Sequence, residues 1–566
     1  MKPTDVKSKN LNIKVRFFLL SLVLILIMLG LLLRIIFLTT YQRHFLQEQG
    51  EARSSRIVEL PAYRGVIHDR HGHPLAMSSP VITIWANPRE VEFQPEQLQQ
   101  LARLLKLPAA SVAANIAKYK QRGFLYLKRQ IPPAVAAQIQ NLNIPGVYQT
   151  REYSRFYPES EVFAHIIGFT NIDEHGQEGI ELAYDNILTG RPGLRRVVKD
   201  RLGNIVEVLG EVRKALPGED IVLSIDRHLQ YICYRQLQQV VKEYQAEAAS
   251  IVILSVKTRE VLAMANVPSF NPNQRPKLIN GHYRNRAVTD LFEPGSTLKP
   301  FSISRVLQEG QYTPDSVVNT KPGWMTLNRN IVKDYRYLGE LTVSEVIQKS
   351  SNIGTAKLAL SLPANALWDY FRKLGLGQVT HSGFPGESPG QLPKPHKWSD
   401  FAIATLSFGY GVAVTNLQLA QIYATLVNQG VSYPVTFLKV HEPKSSQQLI
   451  PRQNALQIQA MLEKTVMDKG GTASRARVPG YRVLGKTGTV RMLGQSGYDK
   501  NRHVGMFVGA IPASDPEIVI SIVVTDPKTK YYGGLVAAPV FAKVAEEAVQ
   551  ILGIPPDDRE LNHAAA

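Results

Sequence analysis

The longest feature in the pattern of hydrophobic and polar positions is an apolar run near the start of the chain. Phe17 to Leu33 carries no charge, and beyond Arg34 the apolar residues continue to Leu38. A membrane-crossing helix needs about 20 mostly apolar residues, so the run predicts a transmembrane helix over 17–38, with Arg34 able to snorkel to the headgroups. Lys2, Lys7, Lys9, Lys14 and Arg16 precede the run, and the near segment after it offers chiefly Arg43. The positive-inside rule then predicts a cytoplasmic tail over 1–16 and an extracytoplasmic body from residue 40 onward. A cleaved signal peptide would have an apolar region of about 7–15 residues followed by a small-residue cleavage site. This run is longer and leads into Arg34-Ile35-Ile36-Phe37, which favours retention as an anchor.

Past the anchor the periods are shorter. Residues 40–220 mix short strand-like stretches with Gly and Pro punctuation. Val81–Trp85 reads as a strand, Pro95–Leu105 as a helix with proline in its first turn, and Gly190–Gly218 as a basic, turn-rich stretch. Near 221 the texture changes. Ile221–Ile225 is strand-like, Arg227–Tyr244 reads as a helix, and Ile251–Val256 and Val261–Ala265 read as a hairpin. Val504–Ile511 and Glu517–Val524 predict late strands, and Ala538–Leu552 a closing helix. Strands at both ends of a segment with helices between them predict an α+β domain whose sheet is closed late in the chain. The tail 556–566 is short and polar.

The 566 residues are 44% hydrophobic and 20% charged, which indicates two or three folded domains rather than a disordered chain. The net charge of +18 fits an anionic cell envelope. The Lys and Arg are spread along the chain with no nucleic-acid module, so nucleic acid is set aside as a partner. Cys233 is the sole cysteine, so no intrachain disulfide forms; in its apolar setting it reads as a small core residue.

The candidate chemistry begins at Glu293-Pro294-Gly295-Ser296-Thr297-Leu298-Lys299-Pro300, the chain's sole S-x-x-K. Three residues apart on a helix, Ser296 and Lys299 share a face. Pro300 is tolerated only in a first turn, which places Ser296 at the helix N-terminus, where the dipole favours developing negative charge. A serine hydroxyl is a weak nucleophile until a base takes its proton, and a lysine serves if burial or nearby cations lower its pKa. Alone the pattern is weak. Ser350-Ser351-Asn352 adds an S-x-N, which also occurs at Ser8-Lys9-Asn10 and Ser269-Phe270-Asn271. Lys486-Thr487-Gly488-Thr489 adds the sole K-T-G, following the strand-like Tyr481–Leu484. Gly488 is expected to let a substrate backbone approach the strand edge. The information lies in the order: one S-x-N copy falls between the other two motifs, the arrangement of penicillin-binding proteins and serine β-lactamases. His68, Asp69, His71 and His73 could be drawn as a metal site, but they read as a solvated turn with an Asp–Arg ion pair, so no metal and no organic cofactor is expected.

With these motifs the chain resembles the class B penicillin-binding proteins, and within them the cell-division transpeptidases. Arg64-Gly65-Val66-Ile67-His68-Asp69-Arg70 with Gly72, then Gly179-Ile180-Glu181, Pro385-Gly386-Glu387-Ser388, Phe408-Gly409-Tyr410-Gly411, Tyr531-Tyr532-Gly533-Gly534 and Ile554-Pro555-Pro556-Asp557-Asp558 carry the similarity. The resemblance implies a non-catalytic, mixed α/β pedestal of dimerisation type over 40–220. It implies a transpeptidase domain of the penicillin-binding and serine β-lactamase type, an antiparallel sheet with helices, over 221–555. It implies that Ser296 attacks the penultimate D-alanine carbonyl of a stem peptide ending in D-Ala-D-Ala, with Lys299 as base. Ser350 would relay a proton, and Asn352 would hold substrate amide and Lys299. Lys486, Thr487 and Thr489 would grip the terminal carboxylate, with the backbone N–H groups of Ser296 and Thr489 as oxyanion hole. β-Lactams would acylate the same serine. The implied partners are an FtsW-type glycosyltransferase and other divisome proteins at the septum of the cell inner membrane. The rival readings are an elongation-type transpeptidase of the same class, a bifunctional synthase, a β-lactamase or β-lactam sensor, and a non-enzymatic scaffold. Residues 40–220 lack a glycan-polymerising acid motif, the large N-terminal module argues against the third rival, and intact Ser296, Lys299 and Lys486 argue against the fourth.

Overall fold

The computed structural model describes residues 7–46, 48, 55–199, 205–274, 281–440, 442, 445–494 and 497–558. Of the expected tails, residues 1–6 and 559–566 lie outside the described residues. The apolar run is one continuous helix, Lys7–Thr40. Its stretch Ile13–Thr40, 28 residues, is long and apolar enough to cross a membrane, and none of its most apolar window is buried against protein. Among the described residues it is the one helix of that kind, which suggests single-pass anchoring.

The chain divides into two compact units that do not follow chain order: 1–62, 82–152 and 190–217 form one, while 63–81, 153–189 and 218–566 form the other. In the first, residues 82–86 pair antiparallel with strand Leu125–Ile131, and helices Pro95–Leu105 and Pro133–Gln140 bury Leu101, Leu105 and Ile139 against Ile84 and Ile131. Pro95 opens its helix as the sequence predicts. The same unit has a three-stranded antiparallel sheet, Ser55–Leu60, Gly193–Lys199 and Ile205–Arg213, in that spatial order.

In the second unit, two early segments meet through buried charge. Arg64 donates from Nε to Glu181 Oε2 (2.7 Å) and from Nη1 to Asp185 Oδ1 (2.7 Å), while Arg155 Nε donates to Glu181 Oε1 (2.6 Å). Glu181 is fully buried, so its charge is tolerable only because two guanidinium groups cap its carboxylate. This network gives a physical reason for Arg64 and Glu181 in the motifs noted above. The 68–73 turn differs from expectation. Asp69 Oδ1 accepts from the His71 and His73 backbone N–H groups (2.9 and 2.8 Å), and Arg70 faces Glu260 (3.6 Å) rather than Asp69. A carboxylate two residues before a tight turn satisfies amides that the turn would otherwise strand, so Asp69 is spent locally.

The rest of this unit is built on one antiparallel sheet. In chain order its elements are α1 (Arg227–Tyr244), β1 (Ala248–Ser255), β2 (Val261–Val267), α2 (Lys299–Gln308), α3 (Asn352–Leu360), α4 (Asn416–Val427), α5 (Arg452–Met467), β3 (Leu484–Gly494), β4 (Gly497–Ile511), β5 (Ile518–Thr525) and α6 (Ala538–Ile551). The strand order is β2-β1-β5-β4-β3. Residues alternate between faces along a strand. Accordingly Ile251 and Ile253 of β1 pack with Leu229 of α1 and Phe541 of α6, while Val252 and Leu254 pack with Phe301 of α2 and Leu419 of α4. Both faces are covered, which is why β1 reads as a continuous apolar run. The late sheet closure predicted from the sequence is realised by β5 pairing with β1. Tyr481–Leu484 was expected as a strand ahead of K-T-G; instead β3 begins at Leu484 and carries the motif within it. Tyr481 is drawn off by its hydroxyl, which donates to Ile554 O (2.6 Å), and by an isolated bridge to Val478.

Candidate active site

The strand order leaves β3 at the sheet edge, and three chain segments converge on it. Ser296 lies in a 3₁₀ turn, Gly295–Leu298, that runs into α2 with Pro300 in the first turn. The turn is pinned from several sides: Thr297 Oγ1 donates to Pro294 O (2.6 Å), and the buried Tyr423 hydroxyl of α4 donates to Thr297 O (2.7 Å). Gly409 accepts close approach of this turn; at φ +84 a Cβ there would sit 2.2 Å from Gly295 O. The Phe408–Gly411 motif therefore exists to let two backbones touch. Gly488 is similar. A Cβ there would come within 2.6 Å of Met506 Cγ and 3.0 Å of Thr297 Cγ2, so the glycine lets the serine turn and β4 close on β3.

Lys299 is fully buried, and its Nζ donates to Ser350 O (2.6 Å), Ser350 Oγ (3.2 Å) and Asn352 Oδ1 (2.8 Å). Lys486, also fully buried, donates to Ser350 Oγ (3.0 Å). Two lysines thus share one hydroxyl. Burial pushes the Lys299 pKa well down, the neighbouring Lys486 charge pushes it further, and Asp334 pulls it partway back. Burial alone brings Lys486 to about 7. Both lone pairs of Ser350 Oγ are occupied by these donors, so its own proton is free for a third group. Ser350 holds this position at φ +57, a strained left-handed backbone for a non-glycine residue.

Sequence reasoning missed the residue that holds that strain. Asp334 accepts from Ser351 Oγ (2.7 Å), Asn352 N (2.5 Å) and Ile353 N (3.1 Å), and Ser351 Oγ in turn accepts from Gly354 N (2.9 Å), capping α3. Asn352 is fixed at both ends, with Nδ2 donating to Lys333 O (2.9 Å). No motif signals Asp334, because its partner lies seventeen residues on. Glu293 was also missed: Oε1 accepts from Gly411 N (2.8 Å) and the Tyr498 hydroxyl (3.0 Å), and burial raises its pKa.

The expected grouping of Lys486 with Thr487 and Thr489 is divided by geometry. Lys486 and Gly488 point to the buried side of β3, whereas Thr487 and Thr489 are half-exposed. Thr489 Oγ1 accepts from Gly533 N (2.9 Å), leaving its proton to donate outward, and Thr487 Oγ1 meets Thr472 Oγ1 (3.4 Å). Ser296 is half-buried, and its hydroxyl has no hydrogen-bond partner among the described residues. The site therefore offers an unspent hydroxyl, two buried amines with lowered pKa, a shared relay hydroxyl, and a strand edge from which Thr489 can donate. That set can deprotonate a nucleophile and hold an anion beside it.

The penicillin binding protein transpeptidase domain matches residues 249–546, more than half of the chain, and the penicillin-binding protein dimerisation domain matches 59–223. The chain belongs to the penicillin-binding protein transpeptidase family. It is 40% identical over 548 residues to peptidoglycan D,D-transpeptidase FtsI of Escherichia coli K12, covering 96% of this chain and 92% of that protein. It is likewise 40% identical over 552 residues to the probable peptidoglycan D,D-transpeptidase PbpC of Pseudomonas aeruginosa, covering 97% and 98%. Among solved structures, penicillin binding protein 3 of Mycobacterium tuberculosis complexed with aztreonam matches with a TM-score of 0.69 at 28% identity, covering 88% of this chain and 98% of that one. Membership of this family agrees with the class and the α+β fold expected from the sequence.

Proposed function

We propose that this penicillin-binding protein is a peptidoglycan D,D-transpeptidase that forms a Ser296 acyl-enzyme and transfers the acyl group to a stem-peptide amine. The observation that carries the reading is the pair of buried lysines converging on Ser350, with Ser296 three residues before Lys299 in the turn that opens α2. In the first half-reaction Lys299, whose pKa burial and the Lys486 charge hold down, takes the Ser296 proton as Oγ bonds to the penultimate D-alanine carbonyl carbon. The developing oxyanion sits against the Ser296 and Thr489 backbone N–H groups, donors of a kind worth about 10²–10³ in turnover. Thr487 and Thr489 hold the substrate carboxylate, with the Lys486 amine behind them. As the C–N bond breaks, the proton passes through Ser350 to the amine of departing D-alanine. In the second half-reaction an acceptor amine attacks the ester carbonyl, loses its proton to the same base, and Ser296 regains its hydrogen. Asn352 orients the substrate amide. A β-lactam carbonyl enters by the first half-reaction, but its ring leaves no diffusible amine.

The identity to a cell-division transpeptidase supports a septal role, with the N-terminus cytoplasmic, the body periplasmic, residues 40–220 as pedestal, 221–555 as transpeptidase domain, and an FtsW-type glycosyltransferase among divisome partners. A tagged protein is then expected as a mid-cell band; patches along the side wall would favour elongation. The chemistry is tested by intact-protein mass spectrometry after β-lactam treatment. One adduct on Ser296 is expected, with none in Ser296→Ala; an adduct elsewhere, or crosslinking by the alanine variant, overturns the reading.

A further inference from the structure

The segment that delivers Asp334 and Lys333 to the site also presents an unusual outer face. Strands Trp324–Leu327 and Asn330–Lys333 form a hairpin, with Trp324 opposite Lys333 and Thr326 opposite Ile331. The inner face is anchored: Val332 is buried, packing with Met325 and Leu327 against Ile353 and Phe408. The outer face is left open. Trp324 is 51% exposed, and Tyr335 and Tyr337, which follow the hairpin, are each 63% exposed. Large aromatic side chains are seldom left out without a use, and here three exposed rings fall between residues 324 and 337. The charge is equally one-sided. Arg329, Lys333 and Arg336 are exposed, and among the described residues none of the three is in an ion pair. Arg336 lies over the Tyr335 ring at 5.2 Å, which extends that ring as a flat, cationic platform.

We propose that this hairpin is a docking shelf for the glycan backbone of the substrate strand, resting on the transpeptidase reading above. Flat aromatic faces stack on the apolar faces of pyranose rings, and unpaired cations meet carboxylates that the strand carries. The placement suits it: Lys333 O accepts from Asn352 Nδ2, so the hairpin and a residue of the candidate site are joined directly by one hydrogen bond. Sugar held on the shelf keeps a stem peptide at the cleft and raises its local concentration, as any second contact on a linked ligand does.

The test uses the full-length protein in detergent with three probes: peptidoglycan glycan strands stripped of their peptides, free stem pentapeptide, and polyglutamate. Wild type is expected to bind the stripped glycan more tightly than polyglutamate. Trp324→Ala and Tyr335→Ala are each expected to weaken glycan binding about fivefold or more, the loss of a contact worth over 1 kcal/mol. Arg336→Gln, which removes the charge and its contact with the Tyr335 ring but no exposed aromatic, should weaken it less. Pentapeptide binding and penicillin acylation of Ser296 should be unchanged in all three, which separates this proposal from the transpeptidase reading. Failure of wild type to bind stripped glycan overturns the shelf. So does equal binding of polyglutamate, which would mean charge alone, or unchanged glycan binding in the variants with loss of a protein partner instead.

Discussion

Two clusters of buried charge lie in the same compact unit and are built on opposite plans. Around Glu181, two arginines face two carboxylates, and every charge has an opposite within 2.7 Å. Around Ser350, two fully buried lysines face each other across a hydroxyl, and Asp334 is the one carboxylate acting on Lys299. The first cluster keeps its charges because they cancel. The second cannot keep both, so it lowers the lysine pKa values instead. Paired burial yields a joint; unpaired burial of like charges yields a base. The contrast separates two sets of buried polar positions that a burial profile alone would treat alike.

The contrast is broken most sharply at Lys299. Lys299→Met removes the base but places an apolar chain of similar volume where an amine was buried at a cost. Acylation by labelled penicillin should fall about 10²–10⁴-fold, while the melting temperature stays or rises. A melting temperature that falls with activity would mean that Lys299 is a joint like Arg64. The converse variant is Glu181→Ala, which strands two buried guanidinium groups. Breaking such a cluster should cost about 3–5 kcal/mol of stability, read by denaturant unfolding, and the protein that remains folded should acylate at the wild-type rate. A normal unfolding midpoint would show that the network is not a joint.

Asp334 stands between the two plans, because it both pairs with a lysine and holds a backbone. Asp334→Asn removes a charge that raises the Lys299 pKa, so more Lys299 is neutral at a given pH and the acid limb of the acylation profile should move to lower pH. The amide cannot accept from Ser351 as the carboxylate does, so the maximal rate should fall about 10–100-fold, the equivalent of 1–3 kcal/mol for one lost charged hydrogen bond. Both effects are read from acylation rates measured across the pH range. A profile lowered without a shift would leave Asp334 a scaffold only.

What the sequence made legible follows the same division. Ser296, Lys299, Ser350, Asn352 and Lys486 were recoverable because their spacing on turns and helices is short and their order along the chain is diagnostic. The strands β1, β2, β4 and β5 were recoverable because burial on one or both faces imposes its own period. Asp334 and Glu293 were not, since each acts through partners far along the chain or through backbone amides that no side-chain pattern encodes. The packing need at Gly488 was hidden for a related reason: the side chains that close on it, Thr297 and Met506, lie far from it in sequence or on the neighbouring strand. Residues 63–81 and 153–189 belong to the unit that holds the late sheet, and the Arg64–Glu181 contact that ties these two segments together spans 117 residues, a distance over which no local pattern carries information.

The finest test of the comparison is the pH dependence of stability itself. Lys486 is brought to about 7 by burial, whereas a lysine in an unfolded chain titrates near 10.4. Between those values the unfolded state binds a proton that the folded state does not, so stability rises as pH rises across that window. Below about 7 both states are protonated and this contribution becomes constant, a fixed penalty for burying the charged amine. Lys486→Met removes the group, so its melting temperature should rise less steeply than that of wild type from about pH 7 to about pH 10, with the two curves converging at the alkaline end. The paired cluster offers no such slope in this range, because guanidinium groups stay protonated there. If the variant and wild type kept parallel curves, Lys486 would be charged in the folded state across the window. The site would then need an anion in place of a neutral amine, and the two clusters would share one plan after all.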